Sequence, residues 1–200
     1  MRGVIVMVGV VTGLAGLTAC KPPPTDAGLD RELPEAEPVF ASDPLPSPDT
    51  EGAMWAVSPQ RMLRIIYGIP GEPALMALEC NPTQGLNAPE LGITRLSPAD
   101  ENATALLALV GNGHIGRIEV SAVNLGGRSF WSGAASAHDE RWQPLAGPRQ
   151  STVTVPGAGM VRLNPSTLPS RLIDLCRNGE TWTPEVVARS LKVDGLEAPN

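Results

Sequence analysis

The sequence predicts an α+β fold: an antiparallel, β-rich sandwich or barrel-like domain carrying two or three short helices. Three observations lead there. Short apolar runs between Ala53 and Pro165 alternate with a period of two and are punctuated by Pro- and Gly-rich turns. A C-terminal segment instead places Leu168, Leu172, Leu175 and Cys176 at helical spacing. Finally, Cys80 and Cys176 both fall on inward-facing positions of their segments, so a disulfide would tie the last helix to the sheet.

Taken in order, Met54 to Val57 reads as a short strand, and Ser58-Pro59-Gln60-Arg61 as a turn. Met62 to Tyr67 is a second apolar run, halted by Gly68-Ile69-Pro70-Gly71-Glu72-Pro73. From Ala74 to Cys80, residues Ala74, Met76, Leu78 and Cys80 share one face. A strand over Leu91–Leu96 follows the loop 81–90. Ser97-Pro98-Ala99-Asp100 has the form of a helix start, and the Ala- and Leu-rich stretch behind it predicts a helix over Pro98–Val110. Ile118, Val120 and Ala122 then alternate as a strand, and Phe130-Trp131 mark another. Trp142 to Leu145 reads as a helical turn. Val153 and Val155, Pro156-Gly157-Ala158-Gly159, then Val161 and Leu163 read as a hairpin. The final helix spans Ser166–Arg177, with Pro169 near its start and Asn178-Gly179 as its stop.

Ahead of this domain lies different material. Met1-Arg2 and the apolar run Gly3 to Leu14 lead into Leu17-Thr18-Ala19-Cys20, in the order of a signal segment with small residues before a cleavage point. Lys21 to Thr50 alternates prolines with Asp and Glu, and holds too few apolar residues to offset the entropy of ordering. Such a tether spans roughly 30 Å as a coil and about 90 Å in its extended limit. The expected organisation is therefore a signal peptide over 1–19, Cys20 and the tether over 20–52, a globular domain over 53–179 and a tail over 180–200.

At Leu17-Thr18-Ala19-Cys20 the chain resembles bacterial lipoproteins. The resemblance implies lipidation of the Cys20 thiol, cleavage before it, and an envelope location. Lys21 is not the aspartate that retains enteric lipoproteins at the inner membrane, which implies the outer membrane, facing the periplasm. Across 54–178 the chain is also similar to small sphingomonad-type envelope lipoproteins, through Trp55, Gly71-Glu72-Pro73, Leu78-Glu79-Cys80, Gly111-Asn112-Gly113-His114, Pro156-Gly157-Ala158-Gly159 and Cys176-Arg177. That likeness brings no site with it.

The remaining motifs are weak as chemistry. A net charge of −6 leaves no electrostatic footprint for nucleic acid. Gly111-Asn112-Gly113-His114-Ile115-Gly116 spells G-x-G-x-x-G, but a strand follows it where a dinucleotide site needs a helix, so it reads as a turn. His114 and His138 lack metal-ligand spacing and read as loop histidines. Ser129 and Ser132 sit in no nucleophile motif. No cofactor or metal is expected. Trp55, Trp131 and Trp142 read as large core pieces, and Trp182, beyond the last helix, as a docking or partner residue. The function expected is a lipid-anchored, non-catalytic binding or structural module with an envelope-protein or cell-wall partner. An envelope hydrolase using a loop histidine, or an inhibitor of an envelope-directed enzyme, stays open beside it.

Overall fold

The computed structural model describes residues 42–59, 61–82, 88–183 and 185. The signal segment, Cys20, most of the tether and nearly all of the tail lie outside the described residues. Strands β1 (Met54–Val57), β2 (Arg64–Gly68), β3 (Met76–Asn81), β4 (Glu90–Pro98), β5 (Thr104–Gly111), β6 (His114–Leu125), β7 (Arg128–Ser136), β8 (Ser151–Thr154) and β9 (Met160–Leu163) form one sheet. A 3-10 turn covers Glu140–Leu145, and helix α1 covers Leu168–Asn178.

All pairings are antiparallel, and the strand order is β1-β2-β3-β4-β7-β6-β5-β8-β9. The long strand β6 links β5 to β7 within this sheet. It pairs with β5 from His114 to Ser121 and with β7 from Ser121 to Leu125, so it changes partner at Ser121. Gly133 on β7 lies against that corner, where any Cβ would collide with the Glu119 carbonyl. Only glycine fits there.

The outer strands come together without pairing. Tyr67 of β2 donates its hydroxyl to the Arg162 carbonyl of β9 at 2.9 Å and accepts from the Asn164 backbone N–H at 2.9 Å. Asn164 in turn donates its side-chain amide to the Thr50 and Ala53 carbonyls just ahead of β1. The result is a nearly closed, barrel-like sheet around one apolar core, to which every strand contributes. Alternation explains the contribution of each strand. On β5, for example, Leu107 and Leu109 are fully buried while Leu106 and Val110 face outward. Burying such a leucine is worth about 1.5–3 kcal/mol.

That strand is also the main correction to the sequence reading. The helix expected over Pro98–Val110 does not form. Pro98 closes β4, Asn102 adopts a left-handed φ of 61°, and β5 begins at Thr104. Ala and Leu favour helix only as a weak prior, and pairing on both edges of β5 overrides it. The helices among the described residues are thus α1 and the 3-10 turn. Gly111 to His114, expected as a turn, is a two-residue hairpin with Asn112 and Gly113 at positive φ, joining two strands.

The expected bridge is present. Cys80 on β3 and Cys176 on α1 form a disulfide with Cα atoms 5.6 Å apart. It fastens α1 against β1 to β4 and the 3-10 turn, over one end of the barrel. Ordered contacts begin ahead of residue 53. Leu45 N–H donates to the Gly157 carbonyl, and the Ser47 hydroxyl accepts from Met160 N–H, so residues 45–50 lie along the β8–β9 hairpin.

Candidate functional site

The two ends of the barrel are built differently. At the end covered by α1, one tryptophan and one arginine have their donors matched. The Trp142 indole N–H donates to the Ser136 carbonyl, and Arg177 donates to the Ala137 carbonyl with Asp174 at 3.8 Å. β4 starts at this end, where the Glu90 carbonyl meets the Cys176 sulfur, and runs toward the other.

Along β4 the inward positions are Leu91, Ile93, Arg95 and Ser97. The first two continue the apolar core. The next two do not. Arg95 is only 4 % exposed, and Ser97 5 %. Trp131 of β7 is the register partner of Arg95 and is 7 % exposed. Arg95 and Trp131 therefore enter the interior side by side, with Ser97 buried two residues on, past a bulge in the β4–β7 pairing.

Arg95 donates to the Leu75 carbonyl at 2.8 Å and to the Ala158 carbonyl at 3.1 Å, which ties the entry to β3 to the β8–β9 turn. No carboxylate among the described residues lies within 4.0 Å of it. Burial lowers its pKa to about 10, so it stays a cation at neutral pH. Five buried side-chain nitrogen or oxygen atoms lack a hydrogen-bond partner among the described residues. Three of them are Arg95 Nε, Ser97 Oγ and Trp131 Nε1. The other two, Arg64 Nε and Trp182 Nε1, are not cross-strand neighbours of these, and Arg64 has Glu79 at 3.6 Å.

No protein-family model, curated protein or solved structure matches this chain. The site has to be read from its own chemistry. Two N–H donors, one hydroxyl and one positive charge without a carboxylate lie on neighbouring stretches of β4 and β7 in the interior, where an unmade hydrogen bond costs about 1–3 kcal/mol. That arrangement can hold an anionic acceptor. It contains no nucleophile–base pair.

The other residues singled out by sequence are scattered. His114 is exposed in the β5–β6 hairpin, and His138 is exposed just after β7. Ser132 approaches Thr94 at 3.5 Å on the outer face. Among the described residues no group of His, Cys, Asp and Glu is placed to hold a metal ion. An open groove of about 710 Å³ lies outside the β6 corner, lined by Thr104, Leu106, Glu119, Ser121, Ser132 and Gly133. Trp55, Trp131 and Trp142 are buried in the core, and Trp182 is half-buried against it.

Sequence reasoning missed Arg95 and Ser97 as a site. Ser97 was expected to cap a helix, which hid the inward alternation Leu91, Ile93, Arg95, Ser97. The signal was an arginine at the third inward position of a strand.

Proposed function

We propose that this chain is a lipid-anchored cell-envelope protein whose folded part is a non-catalytic binding module, held at the outer membrane and facing the periplasm. The observation that carries the binding role is the buried cation at the barrel end opposite α1. A buried charge without a carboxylate is costly, and a ligand that supplies the acceptor recovers that cost. The location rests on Leu17-Thr18-Ala19-Cys20, and the Cys80–Cys176 disulfide suits an oxidising compartment. Two lipid signals already give stable anchoring, so no spanning helix is needed. Among the described residues no helix is long and apolar enough to cross a membrane.

The test has two arms. Cells growing in labelled palmitate should label the wild-type chain, and Cys20→Ala should lose both the label and membrane fractionation. A variant that keeps both overturns the anchor. For binding, the anchored chain is cross-linked in intact envelopes, with Trp131→Phe alongside. A cross-linked partner that depends on Trp131 supports the module, and an identical pattern from both chains sinks it.

A further inference from the structure

We propose that the end of the barrel opposite α1 binds a carboxylate, gripped by Arg95 Nε–H, Trp131 Nε1–H and Ser97 Oγ–H. This deepens the binding reading above and rests on it, but not on the lipid anchor.

The donor set selects the ligand class. Arg95 and Trp131 are direct cross-strand partners, and Ser97, also buried, lies two residues beyond Arg95 across a bulge in the β4–β7 pairing. Each carries one polar atom with no partner among the described residues. A carboxylate has two oxygens and one negative charge. It can take the guanidinium N–H on one oxygen and the indole N–H on the other, leaving a lone pair for the hydroxyl. Its single charge matches the single buried cation. A phosphate dianion would leave one negative charge uncompensated in the interior, and a neutral amide would leave the cation uncompensated.

The neighbours of Trp131 toward β5 and β6 are small. Ala122 is the other strand neighbour of Trp131, and its N–H donates to the Ala103 carbonyl at the start of β5. Ala103 and Ala105 pack against the core from that side. The rim is made of loops, not strands. Its nearest part, the β8–β9 turn, is held from inside by Arg95 and from outside by Leu45 and Ser47.

The experiment titrates the full chain in detergent micelles with sodium acetate at constant ionic strength, following the four indole N–H resonances by NMR. The Trp131 resonance should shift downfield and saturate, while Trp55 and Trp142 stay in place and report an intact fold. Acetamide and chloride should produce no saturable shift, and phosphate a weaker one. Ser97→Ala should weaken the acetate response about tenfold or more, the scale of one hydrogen bond to a charged group. Arg95→Lys, which keeps the charge but loses the Nε–H, should weaken it at least as much. A Trp131 resonance that does not saturate, or responds equally to acetamide or chloride, overturns the proposal. So does an acetate response that Ser97→Ala leaves unchanged. If the titration fails while the envelope cross-link still depends on Trp131, the carboxylate site falls and the binding module stands.

Discussion

The two ends of this barrel solve the same problem with opposite means. Each must close an apolar core, and each uses an arginine and a tryptophan to do so. At the α1 end Arg177 lies partly in solvent, donates to a carbonyl and has an aspartate nearby, while the Trp142 indole is hydrogen-bonded. A covalent bond then fixes the lid. At the other end Arg95 is buried with two carbonyls and no carboxylate, and the Trp131 indole has no partner among the described residues. At the first end the chain itself satisfies this arginine and this tryptophan. At the second, three neighbouring buried side chains keep polar atoms that the described residues do not use.

The contrast can be broken experimentally, most forcefully at the closed end. Replacing Cys80 or Cys176 with Ser should cost about 2–5 kcal/mol, since the bond closes a loop of about 100 residues. Urea unfolding with and without reductant measures it. Reductant should destabilise the wild type and leave either variant unaffected. Equal urea midpoints for wild type and variants would remove the covalent lid from the comparison.

A smaller effect is expected where the barrel sides meet. Tyr67→Phe removes one donor from the Arg162 carbonyl and one acceptor from the Asn164 N–H, both part-buried. The cost should be about 1–3 kcal/mol, read from the same unfolding curves. A neutral Tyr67→Phe would show that the outer strands are held by the core alone.

At the end opposite α1 the prediction changes character. Ser97→Ala deletes a buried hydroxyl that makes no hydrogen bond with the described residues, so stability in acetate-free buffer should stay within about 0.5 kcal/mol or rise. A loss well beyond that would make Ser97 a structural residue and level the difference between the ends.

Another small effect concerns pH, beside the lid. The side-chain hydrogen bonds from Arg141, and then its backbone N–H, hold the Asp139 carboxyl down to about 2 from its ordinary 3.8. A depressed carboxyl contributes stability above its unfolded value, and that contribution is lost as pH falls through about 2. The pair is part-exposed, so the contribution should stay below about 1 kcal/mol. Thermal melts of Asp139→Asn against wild type should differ near neutrality and converge toward pH 2. A gap that persists at that pH would assign the effect to packing.

What the sequence made legible follows the same division. The closed end could be read because two periodicities, strand-like around Cys80 and helical around Cys176, pointed two cysteines at one core. The hairpin at Val153 to Leu163 and the stop at Asn178-Gly179 were equally plain, because turn chemistry is local. Strand β5 was not legible. Ala103 to Val110 carries helix formers, and only its pairing with β6 and β8, which is not local, makes it a strand. The misread helix concealed the end opposite α1, since Ser97 has the form of its cap. The partner change of β6 at Ser121 was equally invisible, because a strand's neighbours are not written in its own residues.

One tie has a consequence in time. Thr50 accepts its hydrogen bond from Asn164, 114 residues later in the chain. A ribosome adding about 5–20 residues per second needs on the order of 6–23 s to supply that partner. Throughout that interval β1 has no neighbour on its outer side and β2 has no Arg162 carbonyl for Tyr67. Their closure therefore waits for the β8–β9 hairpin, and a pause or cut before Asn164 withholds every hydrogen bond that Tyr67, Thr50 and Ala53 make to that side of the sheet.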